Sequence, residues 1–388
     1  MTGQQNQAFG AKMQANKQKG ASLRPTDNRR PPSAFQLYSG NRQVFQINSL
    51  HLHQTNQPRN GHPATLSGRH KDTDRMSTPL PIHFAPLQGY TDAPYRQAHA
   101  RIFGGVASYY SPFVRVEHGE IRRKDERDVL PDNNHGVNLV PQLIASDTDK
   151  LRRITDLFLS HGYREIDINL GCPFPMLAKR HNGAGMLPYP DEVEALLSTA
   201  CTAYPDVRFS VKMRLGWDQP QESLALLPLL NSLPLSYIVL HPRLGKQQYK
   251  GEPDMEGFAR FYEECRKPLI YNGDLLTLAD IQALTDRFPQ LAGVMIGRGL
   301  LANPALALEY AQGQPLAPDE LKERVRQLHT DLFCHYSARL EGGDRQLLTK
   351  MKTFWEYLLP DADRKARKAI HKAGNLASYQ EAVNKLLR

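Results

Sequence analysis

The sequence predicts an α/β protein: a (β/α)8 TIM barrel, followed by a small all-helical C-terminal domain and preceded by a disordered tail. Three observations carry this. Eight short strand-like runs alternate with helical segments between residues 79 and 315, the pattern of parallel strands joined by helical crossovers. Nearly every run ends in a turn bearing polar residues or glycine, where barrels of this kind carry their chemistry. No G-x-G-x-x-G turn follows the first run, which disfavours an open dinucleotide-binding sheet.

Residues 1–78 come first and read as disordered. They are rich in Gln, Asn, Ser, Pro and basic residues, without sustained helical or strand periodicity, so they bury too little surface to fold alone. Eleven Lys and Arg oppose three Asp before Met76. Most of the chain's net charge of +9 therefore belongs to this stretch. A transit peptide would also be basic, but the Gln/Asn content and the lack of an amphipathic stripe disfavour one. Translation starting naturally at Met76 is an alternative.

The strand candidates of the barrel, residues 79–315, are Ile82–Ala85, Val106–Val114, Val137–Leu143, Glu165–Leu170, Phe209–Met213, Tyr237–Leu240, Leu269–Tyr271 and Gly293–Ile296. Helices are expected near 92–102, 147–161, 190–203, 220–231, 253–265, 277–287 and 299–310, with a weaker charged one near 118–127. From residue 316 to 388 strand signals cease. Leu321–Leu340, Leu347–Leu359, Arg364–Ala373 and Tyr379–Leu387 read as helices. This region carries Lys350, Lys352, Arg364, Lys365, Arg367, Lys368 and Lys372, with Phe354, Trp355 and Tyr357 interleaved. Cations and aromatics so mixed predict an RNA-facing surface.

The composition narrows the function classes. With 388 residues, 40% of them hydrophobic, the chain supports one large barrel and a smaller domain. It has no apolar run of membrane-spanning length and no secretory h-region, so a cytoplasmic protein is expected. The four cysteines form no C-x-x-C pair, which argues against a disulfide framework and against a bound metal.

At the strand ends, the first run leads into Pro86-Leu87-Gln88-Gly89, the second into Arg115, and the third carries Gln142. The fourth, Ile166-Asp167-Ile168-Asn169-Leu170-Gly171-Cys172-Pro173, presents Asn169 and then a thiol on a loop. Lys212 and Arg214 end the fifth, His241 and Arg243 the sixth, Asn272-Gly273-Asp274 the seventh, Gly297-Arg298 the eighth. Gly273, Gly297 and Arg298 suit a monophosphate, since the loops after strands 7 and 8 of barrels often bind one. A cysteine is often mere core filler, although a loop position between Gly and Pro argues for a reagent. Lys212 reads as a Schiff-base lysine, a phosphate or carbonyl ligand, or a salt-bridge partner. His241 reads equally as a satisfied structural histidine.

Taken together, FAPLQGYTDAPYR at 84–96, INLGCP at 168–173, NGAG at 182–185, VKMRLGWD at 211–218, LHPR at 240–243, YNGD at 271–274 and VMIGRG at 294–299 resemble the tRNA-dihydrouridine synthases. The likeness covers about residues 80–388. FVRV at 113–116 and the segment around KMKTFWEYL look most similar to the bacterial C-type branch. The resemblance implies a flavin-binding barrel and a helical domain that grips tRNA. It implies FMN held by Pro86, Leu87, Gln142, Lys212 and His241, with its phosphate against Asn272, Gly273, Asp274, Gly297 and Arg298. Asn169, Lys212, Arg214 and His241 would face the target uracil. Hydride delivery to C6 from FMN reduced by NADPH (or NADH), and protonation of C5 by Cys172, would reduce a uridine in a monomeric enzyme. The loop Phe174–His181 departs from the Ser/Lys-rich sequence of many members. Rival readings are a flavin-dependent dehydrogenase of free pyrimidines, similar to dihydroorotate dehydrogenase, a non-catalytic RNA-binding protein of the same fold, and a Schiff-base aldolase built on Lys212.

Overall fold

Apolar residues at alternate positions give each short run two faces to bury, and eight such runs close into a ring. In the computed structural model, which describes residues 79–388, the barrel strands are β1 (Ile82–Phe84), β2 (Ser108–Tyr110), β3 in two pieces (Leu139–Val140 and Gln142–Leu143), β4 (Glu165–Leu170), β5 (Arg208–Gly216), β6 (Ile238–Leu244), β7 (Leu269–Asn272) and β8 (Gly293–Ile296). The expected tail, 1–78, lies outside the described residues. Every neighbouring pair is parallel, and β8 pairs with β1 while β3 meets both β2 and β4. The barrel is thus closed. Pro141 splits β3 because it has no N–H to give the ladder, yet its carbonyl still accepts from Asp167 N at 3.0 Å.

One face of each strand packs outward under the helices: Phe84, Ile166, Ile168, Val211, Leu240 and Val294 belong to the main core. The other face fills the barrel, where Ala85, Tyr110, Val140, Val239, Ile270 and Met295 form a separate apolar layer. Polar groups share that interior, and they carry the site.

The crossover helices are α1 (Ala93–Ile102), α2 (Arg123–Val129), α3 (Thr148–Ser160), the short α4 (Pro175–Ala178), α5 (Pro190–Ala203), α6 (Gln221–Ser232), α7 (Met255–Glu264), α8 (Leu278–Arg287), α9 (Arg298–Ala302) and α10 (Leu306–Gln312). Two expectations need correction. Residues 118–121 are not helical: Val116–Glu117 and Glu120–Ile121 form a hairpin around His118 and Gly119, both at positive φ, a turn whose twist suits antiparallel strands. The helix expected over 299–310 is two helices, because Pro304 cannot supply a backbone donor.

Four helices follow: α11 (Pro318–Arg339), α12 (Gly343–Phe354), α13 (Arg364–Lys372) and α14 (Leu376–Leu386). No helix among the described residues is long and apolar enough to cross a membrane. Here the aromatic reading fails for Trp355, while Phe354 and Tyr357 are half-buried. Trp355 is 1% exposed, and Phe354 packs against Tyr95 and His329. Trp355 Nε1 and His329 Nε2 both lie 2.8 Å from the Tyr379 hydroxyl. Indole nitrogen only donates, so Tyr379 accepts from Trp355. Burial holds the His329 imidazole neutral, with its pKa lowered to about 4. Trp355 faces inward because Leu347, Leu348, Met351 and Trp355 fall on one helical stripe.

Lys350 is also diverted from the surface. Its ammonium sits 2.9 Å from Asp92 and 3.0 Å from the Gly89 carbonyl, while Tyr336 donates to Asp92 at 2.7 Å. Arg324 donates to the Ile102 carbonyl at 2.6 Å. The helices thereby lock onto the first strand-helix unit. Lys352 and Arg367 are spent on carbonyls of Ala373 and Pro360. Arg364, Lys365, Lys368 and Lys372 of α13 remain exposed.

Candidate active site

At the C-terminal ends of the strands lies an open cavity whose wall includes Pro86, Leu87, Gln142, Asn169, Cys172, Lys212, Arg214, His241, Asn272, Gly273, Asp274, Gly297 and Arg298. The strand-end residues Arg115 and Arg243 are not on that wall, whereas every residue that the resemblance assigns to cofactor, base or proton donation is. The parallel register brings them together: Gln142 lies level with Asp167, Asn169 with Lys212, and Arg214 with His241. Arg115 is not brought there, and pairs instead with Glu117 of the hairpin.

A polarised string of hydrogen bonds supports the thiol. Asp167, fully buried, accepts from Gln142 Nε2 at 2.6 Å and from Ser210 Oγ at 2.7 Å. Gln142 must therefore turn its carbonyl to Asn169, whose Nδ2 donates at 2.7 Å. Asn169 Oδ1 in turn accepts from Gly171 N at 3.0 Å and Cys172 N at 2.8 Å. A carboxylate that only accepts stands at one end and backbone N–H groups that only donate stand at the other, so neither amide is free to flip. Each keeps one N–H unspent by this string. Asn169 thus holds the thiol loop, a task the sequence did not reveal.

The loop is pressed from below as well. Ala184 N donates to the Cys172 carbonyl at 3.1 Å. Gly183 sits at φ +59°, where a Cβ would come within 2.8 Å of Cys172 Cβ and carbonyl oxygen. Only glycine tolerates both the left-handed backbone and the approach. This is the physical reason for the NGAG segment.

Burial pushes the Cys172 thiol above its ordinary value, against the opposing pull of the Phe174 backbone and of Arg214, Lys212 and Arg115. It is therefore protonated at neutral pH. Burial, then the like charge of Arg214, lowers Lys212 to about 8, while Asp167 and Cys172 act the other way. His241 is held well below its usual range by burial and by Arg214, Lys212, Arg243 and Arg298. It is neutral, and since Arg243 Nη1 lies 3.2 Å from its Nε2 and can only donate, its own proton sits on Nδ1. The wall near Cys172 thus consists mainly of donors.

Arg214 spends Nε and Nη1 on the carbonyls of Gly171, Leu244 and Gln248, at 3.0, 3.0 and 2.7 Å, tying the loops after β4 and β6 to β5. Asp274 receives both Arg243, at 2.5 Å, and Arg298. Burial alone would raise this carboxyl, but the Arg243 hydrogen bond and the two guanidinium charges bring it down. Its side chain is therefore engaged in orienting Arg298. At the neighbouring turns, a Cβ on Gly299 would strike the Leu275 carbonyl at 2.1 Å, which lets α9 lie close against the loop after β7.

Sequence reasoning missed Tyr249. It lines the cavity from the loop after β6, with the guanidiniums of Arg214 and Arg298 5.4 and 5.2 Å from its ring centroid. No local motif marks it. Asp167 was also passed over, although alternation with Asn169 puts it on the same inward face.

A family model described as dihydrouridine synthase (Dus) matches residues 83–377. The chain is similar to tRNA-dihydrouridine synthase B of Pasteurella multocida, 27% identical over 58% of this chain and 67% of that protein. It is also similar to tRNA-dihydrouridine(16) synthase of Pseudomonas putida, 28% identical over 68% and 85% of the two chains, and to that of Neisseria meningitidis, 26% identical over 73% and 86%.

Proposed function

Because the chain belongs to the dihydrouridine synthase family, we propose that it reduces the C5–C6 double bond of a uridine in tRNA, with FMN as cofactor and NADPH (or NADH) as reductant. The observation that carries this reading is the convergence of a protonated thiol and a donor-rich wall on one barrel-mouth cavity. No side chain supplies a hydride; a bound flavin does.

The residues present fit such a group. A ring with carbonyl and nitrogen acceptors finds donors in the free N–H of Gln142, in Lys212 and in the Nδ1–H of His241, with Pro86 and Leu87 as an apolar floor. A phosphate finds Asn272, Gly273, Gly297 and Arg298, the last held in place by Asp274. Cys172 holds its proton at Sγ and gives it to C5, which requires no unusual tuning of a thiol that is already protonated. Lys212, as an ammonium, and Arg214 stabilise negative charge developing on the uracil carbonyls, in a site where water is displaced and electrostatics are strong. Asn169 keeps the Cys172 backbone fixed while offering its remaining N–H to the base.

A base inside folded tRNA must leave its stack to reach this cavity. The exposed cations of α13, Arg364, Lys365, Lys368 and Lys372, suit the phosphate backbone that then has to be held. The test is spectroscopic. Purified protein should carry flavin absorbance that NADPH bleaches, and tRNA lacking dihydrouridine should restore it with dihydrouridine formed. Reoxidation by free uracil or an orotate-type pyrimidine instead of tRNA, or a protein that takes up no flavin, overturns the reading.

A further inference from the structure

Five large hydrophobic side chains stand open to solvent among the described residues: Phe174, Met176, Tyr189, Tyr249 and Leu276. All five lie in the loops that leave β4, β6 and β7 at the cavity end of the barrel. Scattered exposure of single apolar residues is ordinary, but concentration around one opening marks an interaction surface. The densest part is the β4 loop. There Phe174 and Met176, 53% and 65% exposed, directly follow Cys172 and Pro173 on the cavity wall.

This lip is internally bonded and closely packed. Leu177 N and Ala178 N donate to the Phe174 carbonyl at 2.9 and 3.0 Å. Beneath it, Gly185 lies so close that a Cβ would come within 2.4 Å of Ala178 Cα. Farther along the loop, His181 stacks on Tyr189 at 3.9 Å and 14° and is held by Glu192 at 2.8 Å. Lys179 and Arg180 are exposed on the same segment, and Lys250 adjoins Tyr249. An exposed aromatic and thioether surface with cations beside it is what unpaired nucleotides need, because every base offers a face to stack and every linkage a phosphate.

We infer that Phe174 and Met176, flanked by Lys179 and Arg180, form a stacking platform for the unpaired tRNA bases next to the uridine being reduced. The inference rests on the proposed activity and adds to it the surface that holds the neighbours of the extruded base. It also gives a role to the segment 174–181.

The test is a steady-state and salt comparison on the flavin-loaded full chain. The double variant Phe174→Ala/Met176→Ala should raise KM for tRNA about 10-fold or more, the scale of a lost base stack. It should leave kcat at saturating tRNA and the rate of flavin reduction by NADPH unchanged. Phe174→Trp should restore KM. Lys179→Ala/Arg180→Ala should flatten the dependence of KM on salt, and the Phe174/Met176 pair should not. An unchanged KM in the double variant, with wild-type protein still forming dihydrouridine, overturns the platform and leaves the activity standing. Wild-type protein that reduces no tRNA uridine removes the activity and the platform together. If wild type sediments as a dimer that Phe174→Ala/Met176→Ala dissociates, the lip is a contact between copies of this chain and the inference falls.

Discussion

Replacing Asp167 with Asn should make the protein more stable at neutral pH and a poorer catalyst. Asp167 has no exposure, and burial, against the pull of Gln142, Ser210 and Lys212, raises its carboxyl from 3.8 to about 6. The folded-state value lies above the unfolded one, so the native chain binds this proton more readily. The folded state therefore loses stability as pH rises from about 4 to about 6, and carries the full cost of the ionised group above that. Two pH units correspond to a ceiling of about 3 kcal/mol. Asn keeps the shape and still accepts from Gln142, while Ser210 reverses its hydroxyl to accept from the new amide. On flavin-stripped protein the Tm of Asp167→Asn should exceed that of wild type by about 5 °C at pH 7. The difference should shrink to nothing near pH 4, where wild-type Asp167 is protonated too. Catalysis moves the other way, since Lys212 loses the carboxylate that favours its ammonium. A Tm difference that stays constant across pH 4 to 7, or a variant less stable than wild type at pH 7, refutes the reasoning.

Other outcomes follow from the same site. Cys172→Ala should lower dihydrouridine formation by about 10²- to 10⁴-fold, the usual worth of a positioned acid, while stopped-flow reduction of the flavin by NADPH stays intact. Turnover at saturating tRNA should fall as pH rises through about 8, because the Lys212 ammonium, lowered to that value by burial and Arg214, then loses its proton; in Lys212→Met that limb should vanish from the pH profile. Gly183→Ala should cost about 1–3 kcal/mol in urea unfolding and slow protonation of the base, since the new methyl meets Cys172 at 2.8 Å. Gly313→Ala, also at positive φ but with open space around it, should show the backbone cost alone and normal turnover.

Much of the fold was legible because barrel strands announce themselves locally. Glu165–Leu170 and Gly293–Ile296 coincide with their expected limits, since both are short apolar runs cut off by Gly-Cys-Pro or Gly-Arg-Gly. The errors occurred where local pattern and tertiary demand diverge. The charged stretch at 118–127 has helical composition, but two positive-φ residues start it as a hairpin. Trp355, near Lys350 and Lys352, looks like part of an RNA surface in one dimension, and helical periodicity turns it into core. Lys350 itself is held by Asp92, a partner more than 250 residues away that no local pattern could supply.

By itself the sequence determined which residues reach the mouth of the barrel, because strand alternation and strand-end position set that outcome one strand at a time. Only the tertiary structure decided what each of them is free to do there. Asn169 is occupied with the backbone of Cys172, Asp274 with two arginines, and Gln142 is oriented by Asp167. Tyr249 enters from a loop without a motif. The difference has a physical cause: reaching a face of a strand is a local property, whereas hydrogen-bond polarity and charge are fixed only when every donor and acceptor around a closed ring has found its partner.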